Sequence, residues 1–398
     1  MIQTEYVNRT MHFHRVYLES FGYTLPDEIV TTAEIERRLA PLYHRLRLPE
    51  GRLELMTGIR ERRFFPPGTQ PSTISIESAG KAIDASRIDR RNFGALIHGS
   101  VCRDFLEPAT ACRVHDGLNL PHDAIIYDVS NACLGLLNGV VQVASMIELG
   151  QVRAGVVVGT ECGRELVENT IEMLNGDHSL TRDSVKNSIA SLTIGSASVA
   201  MVLCDEELSR SGNRLTTAAA YCDTRQHDLC QSRGHEVVMQ TDSETLMREG
   251  IAAGVQTFDR FLAAAGWEAN DIDRTFCHQV GVAHRKLLFE SLRLDPQIDF
   301  ATLETLGNTG SAALPVTMAL GVEAGHLRAG DRVAMLGIGS GINCLMLAVE
   351  WQNSPKQVGR RSGSYLVKTT KSTRATITSA AAPSDAQSTH DGPLLGGT

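Results

Sequence analysis

The chain contains no run of 18 or more apolar residues, so no membrane-spanning helix is expected. It has no excess of base: 38 Lys and Arg stand against 46 Asp and Glu, a net charge of −8. That balance argues against a general nucleic-acid binder, whose affinity comes from neutralising phosphates. The nine cysteines are odd in number and show neither CxxC nor any other metal-ligand spacing, so no disulfide framework and no metal is expected. They read as mostly buried thiols in a reducing compartment. The first twenty residues hold no basic stretch followed by an apolar core. No secretory signal is therefore expected, and the localisation is expected to be cytoplasmic. Aromatic residues are scarce, at 5%, while glycine is plentiful, at 35 residues. This is the composition of a fold with many tight turns and small-residue packing.

What is present is ordinary globular material: 398 residues, 42% hydrophobic and 21% charged, which excludes a mostly disordered or collagen-like chain. Composition changes near residue 353. Residues 353–398 are rich in Ser, Thr, Ala, Gly and Pro, with six basic residues against Asp385 and Asp391. Such a segment buries too little apolar surface to offset its chain entropy, so it is expected to be a disordered tail.

The first 352 residues alternate between strand-like and helix-like pieces. Residues 95–100 (ALIHGS), 124–129 (AIIYDV), 154–159 (AGVVVG) and 197–203 read as buried strands, and 134–149 reads as a helix stopped by Gly150. The second half repeats the theme. Long and short helices are expected over 244–265, 283–292 and 312–324, and strands over 274–277, 332–336 and 343–351. Two α/β halves, 1–205 and 206–352, suggest duplication at the level of the fold.

The chemistry starts at Cys133 in DVSNACLGLLNG. It follows an expected strand and opens an expected helix, whose unpaired N–H groups and positive dipole end favour thiolate and are expected to lower the thiol pKa. Small neighbours leave room for a substrate. A thiolate nucleophile needs a proton-handling partner. His278, in TFCHQVGVAH, stands where an expected strand gives way to a loop. Asn308, in LGNTGSAALP, occupies a glycine-flanked turn before a small-residue helix. The turn LGIGSGINC has alternate glycines, but strand rather than helix follows it, so it is not a dinucleotide fingerprint. Between two strands it can present a backbone N–H that, with the N–H of Cys133, would hold the oxyanion of an acyl thioester. Cys, His and Asn in this order also occur in papain-like proteases, but the surroundings of Cys133 lack the C-G-S-C-W type signature.

These motifs, with TGIRERR at 57–63 and the His278–Gln279 pair, resemble the thiolase superfamily of condensing enzymes, in the 3-oxoacyl-[acyl-carrier-protein] synthase III branch. The resemblance covers about residues 12–352. It implies an α/β thiolase fold, a duplicated αβαβα five-layer sandwich, working as a homodimer without cofactor. It also implies a Cys133–His278–Asn308 triad and an oxyanion hole from the backbone N–H groups of Cys133 and Ser340. Within the branch, one group condenses an acyl-enzyme with malonyl-carrier protein by decarboxylation. The other is OleA-like and joins two acyl-CoAs, which requires a base for the α-proton. In OleA-like enzymes that base is the glutamate of a Leu-Glu-Pro motif, reaching into the partner subunit's site. Here the motif is FLEPAT, with Glu107.

Arg52, Met56 and Ala283 stand where the synthase group grips CoA adenine or docks the carrier protein, which favours the OleA-like reading. Arg285 and Lys286 are alternative carrier-protein contacts. Arg60 and Arg62 are expected to be structural rather than phosphate-binding, and Arg63 is open between the two roles. The expected activity is Claisen condensation of two acyl-CoAs. The alternatives are decarboxylative condensation in fatty acid biosynthesis and an inactive acyl-binding protein.

Overall fold

The continuous apolar stretches of the sequence are central strands in the computed structural model, which describes residues 10–233 and 238–352. The strands are β1 (Thr10–His12), β2 (Val16–Thr24), β3 (Glu28–Thr31), β4 (Glu61–Phe64), β5 (Phe93–Gly99), β6 (Ile125–Val129), β7 (Ala154–Glu161), β8 (Ala197–Asp205), β9 (Arg214–Cys222), β10 (Cys230–Arg233), β11 (Val238–Thr241), β12 (Arg274–Cys277), β13 (Arg332–Gly339) and β14 (Asn343–Glu350). The α-helices are α1 (Thr32–Arg38), α2 (Ala40–Leu46), α3 (Arg52–Thr57), α4 (Pro71–Ser86), α5 (Thr110–Leu118), α6 (Gly135–Glu148), α7 (Arg164–Gly176), α8 (Ser243–Ala265), α9 (Val282–Leu292), α10 (Leu303–Leu306) and α11 (Ala313–Glu323). Every residue of β7 and of β8 is buried, as befits strands covered on both faces.

The main strands run in the order β12-β13-β14-β9-β2-β8-β7-β5-β6, with β1 added to β9. The path narrows at its middle, where β2 meets β9 through the single pair Tyr17↔Arg214. On either side lie five strands: β6, β5, β7, β8 and β2, then β9, β14, β13, β12 and β1. Because side chains alternate along a strand, each sheet feeds two apolar layers. Leu96, Val156 and Val202 point one way, against Ala79 and Ile83 of α4 and Val114 of α5. Ile97, Val157 and Met201 point the other way, into a core shared with α6, α11, Ala218, Met335 and Leu347. The far side of the second sheet, with Ala219, Leu336 and Met346, is covered by α8 and α9. The layers therefore read helix, sheet, helix, sheet, helix, the five-layer α/β arrangement expected. A fourth apolar cluster joins α1, α2, α3 and α7 beside the β3–β4 hairpin.

No helix among the described residues is long and apolar enough to cross a membrane. The expected disordered tail, 353–398, lies outside the described residues.

Candidate active site

Between β6 and α6 the chain makes a tight turn. Ala132 takes the left-handed conformation at φ +43°, and the Leu134 N–H closes the turn on the Asn131 carbonyl at 2.8 Å. This sets Cys133 just ahead of the α6 N-terminus. The helix start rests directly on β5: a Cβ on Gly99 would lie 2.7 Å from the backbone of Gly135 and Leu136. Cys133 is deep but not sealed, since part of the residue is accessible.

Opposite it is the β13–β14 turn. Strand, turn and strand follow one another as expected, with Gly339 opposite Asn343 in the ladder. A Cβ on Gly339 would lie 3.6 Å from the Cys133 Cβ. The backbone N–H groups of Cys133 and Ser340 lie near enough to the Cys133 sulfur to favour its ionised form. They do not prevail. Burial above all, followed by the neighbouring Cys230 and Glu161, pushes the thiol up to about 12. The lowered pKa expected from the helix N-terminus is thus corrected. Desolvation of a buried thiolate outweighs the two N–H groups, and Cys133 rests as a thiol.

His278 follows the last residue of β12 and extends the β12–β13 ladder, its N–H donating to the Leu336 carbonyl at 3.0 Å. The imidazole is 4% exposed, and neither ring nitrogen has a hydrogen-bond partner. Burial and then the nearby His284 hold its pKa down to about 3. It is a neutral ring with an acceptor free, on the strand next to the one whose end abuts Cys133. Asn308 lies in the buried turn after α10. Its N–H donates to the Thr193 carbonyl at 2.9 Å, and its Oδ1 accepts from the Gly310 N–H at 3.0 Å. The geometry therefore brings the Gly339–Ser340 turn close to Cys133 and puts His278 one strand away. Asn308 is fixed from a third element, and no hydrogen bond joins the His278 ring to either Cys133 or Asn308.

Glu107 is not gathered with them in the single chain. It is exposed on the loop between β5 and α5, where Val101, Phe105 and Leu106 also face outward, Leu106 at 93%. The arginines of the 57–63 motif are engaged. Arg62 is buried and donates to Thr32 Oγ1 at 2.9 Å and to the Leu192 carbonyl at 3.0 Å. Arg63 donates to the Pro26 carbonyl, and Arg60 pairs with Glu304 at 2.7 Å. Arg285 is held by Asp299 at 2.6 Å, while Lys286 is exposed near Glu290.

Several residues around the candidate site have roles that sequence reasoning did not assign. Asn343 donates to Asn131 Oδ1 at 3.1 Å, and Asn131 donates to Asn138 at 2.8 Å. This amide chain ties the turn that offers the Ser340 N–H to the turn that carries Cys133. Gln279 accepts from the Thr302 and Leu303 N–H groups and donates to the Phe300 carbonyl, which fixes the segment leading to Asn308. Glu161, at the end of β7, is 5% exposed. Asn131, Asn343 and Gln279 lie inside the motifs, which give no hint of these roles, and nothing in the sequence marks Glu161. No group of three or more potential metal ligands occurs among the described residues.

Residues 262–351 match the family model for the C-terminal part of 3-oxoacyl-[acyl-carrier-protein] synthase III. An acyl-CoA:acyl-CoA alkyltransferase of Shewanella oneidensis is 42% identical over 351 residues, covering 86% of this chain and 100% of the relative. One from Xanthomonas campestris is 33% identical over 341 residues, covering 86% and 100%. A crystal structure of a Xanthomonas campestris OleA variant with bound lauric acid and lauroyl-CoA superposes with a TM-score of 0.82. It is 32% identical and covers 85% of this chain and 100% of that one.

Proposed function

The chain belongs to the acyl-CoA:acyl-CoA alkyltransferase family of thiolase-like condensing enzymes, and we propose that five of its residues divide the chemistry of that family's reaction. The activity is the Claisen condensation of two acyl-CoA thioesters by an acyltransferase. In the first half-reaction the Cys133 thiol attacks an acyl-CoA. Because the thiol rests protonated and the imidazole rests neutral, His278 takes the proton as the C–S bond forms. The proton then goes to the departing CoA thiolate, leaving acyl-Cys133.

In the second half-reaction the partner subunit's Glu107 removes the α-proton of a second acyl-CoA. His278 and Asn308 polarise that thioester's carbonyl. The carbanion attacks the acyl-Cys133 carbonyl, and the N–H groups of Cys133 and Ser340 hold the oxyanion. Collapse expels the Cys133 sulfur, which recovers a proton, and releases a 2-alkyl-3-ketoacyl-CoA. The homodimer this requires is supported by the outward apolar residues of the Glu107 loop, which are unusual for a free surface. A cytoplasmic location agrees with cysteines that are all free thiols among the described residues.

The observation that carries this reading is the approach of the β13–β14 turn to Cys133, where a Cβ on Gly339 would lie 3.6 Å from the Cys133 Cβ. The test is a long-chain acyl-CoA supplied alone, with CoA release and product mass measured. A condensed 3-keto product without any malonyl donor is the expected result. Product that appears only with malonyl-CoA or malonyl-carrier protein replaces the reading with decarboxylative condensation. Against that alternative, Arg285 is already held by Asp299 and the Pro296 carbonyl, which leaves it poorly placed to dock a carrier protein.

A further inference from the structure

A buried carboxylate is costly unless its lone pairs are filled, and those of Glu161 are filled from two directions. From one side come the Val101 N–H at 3.1 Å and the Cys102 N–H at 3.3 Å. These open the loop that carries Glu107. From the other side come the Ser311 N–H at 3.2 Å and the Ser311 hydroxyl at 2.5 Å, three residues past Asn308. Ser311 also approaches the Gly99 carbonyl at 2.9 Å, at the end of β5 on which α6 rests. One side chain therefore fastens the segment before Glu107 to the segment after Asn308.

We infer that Glu161 is a positioning residue for the condensation step, fixing at once the Asn308 turn of its own site and the root of the loop that sends Glu107 into the partner's site. The inference rests on the roles given above to Glu107 and Asn308. Both belong to the second half-reaction, while the first needs Cys133, His278 and the two N–H groups, none of which Glu161 bonds. Removing its charge should split the two halves. There is a further consequence in the first half. Glu161 is among the groups that push the Cys133 thiol up, so without it the thiol ionises more readily.

The test uses the full-length enzyme and the variants Glu161→Gln and Glu161→Asp, with Ser311→Ala as a milder break of the same link. Acylation of Cys133 is followed by intact mass, condensation by product formation, and thiol ionisation by the pH profile of iodoacetamide labelling. In Glu161→Gln, condensation is expected to fall by about 10- to 100-fold, as for displaced groups. Acylation should hold within about twofold, and the labelling profile should move to lower pH. Glu161→Asp should recover part of the condensation rate. Ser311→Ala should lower condensation less, with no change in labelling.

Equal losses in acylation and condensation, or an unmoved labelling profile, would overturn the inference in favour of a merely structural carboxylate. So would wild-type condensation in Glu161→Gln. If Glu161→Gln does not fold, the same split is scored on Glu161→Asp and Ser311→Ala, and its absence in both overturns the inference. Failure of the underlying reading is seen separately, as a wild-type enzyme that condenses only with a malonyl thioester. The Asn308 link is then tested on that reaction, where an unsplit Glu161→Gln again counts against it.

Discussion

Cys133 and His278, the proposed nucleophile and its proton acceptor, both rest neutral, one held up to about 12 and the other down to about 3. An enzyme built on a preformed thiolate and imidazolium would label fast at neutral pH. Here, iodoacetamide should label Cys133 slowly near pH 7, and the rate should climb as pH rises past 9 without a neutral plateau. Labelling that saturates below pH 8 would contradict the neutral pair. Glu107 poses a different question at the same scale, since its side chain is exposed in the single chain. Glu107→Ala should leave acylation of Cys133 within about twofold while condensation falls by at least about 100-fold, the size expected for losing a general base. Parallel loss of both would make Glu107 structural. Cys133, His278 and Asn308 are proposed from their motifs, and Ser340 from the family resemblance. Glu161 could not be found in this way, because its partners lie 60 residues before it and 150 after it, and no local pattern links them.

Among the elements, the helix that presents Cys133 depends on how close it comes to β5. Gly99 and the backbone of α6 meet where no side chain fits. Gly99→Ala should displace the α6 start, cost about 1–3 kcal/mol by overpacking, and slow Cys133 acylation. Denaturant unfolding alongside acylation kinetics checks this, and an unchanged pair of values would mean that the turn repacks freely. The strands were legible because β5, β7, β8 and β13 are covered on both faces and so read as unbroken apolar runs. Helix α4 was not. Half of its buried residues are serine, with Ser72, Ser75, Ser78 and Ser86 inside, so its periodicity looks polar. Tertiary hydrogen bonds make that face tolerable: Ser75 pairs with Thr160 Oγ1 at 2.6 Å, and Ser78 with Thr24 at 3.0 Å. The β10–β11 pair, which brings Cys230 near Cys133, was likewise invisible, because strands of four residues are too short to carry an apolar signature.

For the whole molecule, burial of histidines sets a pH dependence. His98, His278 and His284 are held down to about 4, 3 and 4, by burial first in each case. Unfolded, each titrates near 6.5. Above that value the full stability is present. As pH falls from about 6.5 toward 4 the unfolded chain binds more protons than the folded one. Stability therefore drops by up to about 1.4 kcal/mol per pH unit for each histidine. Asp299, raised by burial to about 6, works partly against this below pH 6. Urea midpoints at pH 7.5, 6 and 5 should decline steadily, and a flat series would show that these rings are hydrated.

The sequence by itself determined the fold class and pointed to the condensing residues proposed above. Buried strands, glycine turns and the Cys133, His278 and Asn308 motifs are local patterns, each written within a dozen residues. Only the tertiary structure decided the state of the site. The resting thiol, the unpartnered imidazole, the Asn131–Asn343 bridge and the Glu161 link arise where segments more than a hundred residues apart exclude water together. Desolvation and long-range hydrogen bonds belong to the packed molecule and have no counterpart in the order of the chain.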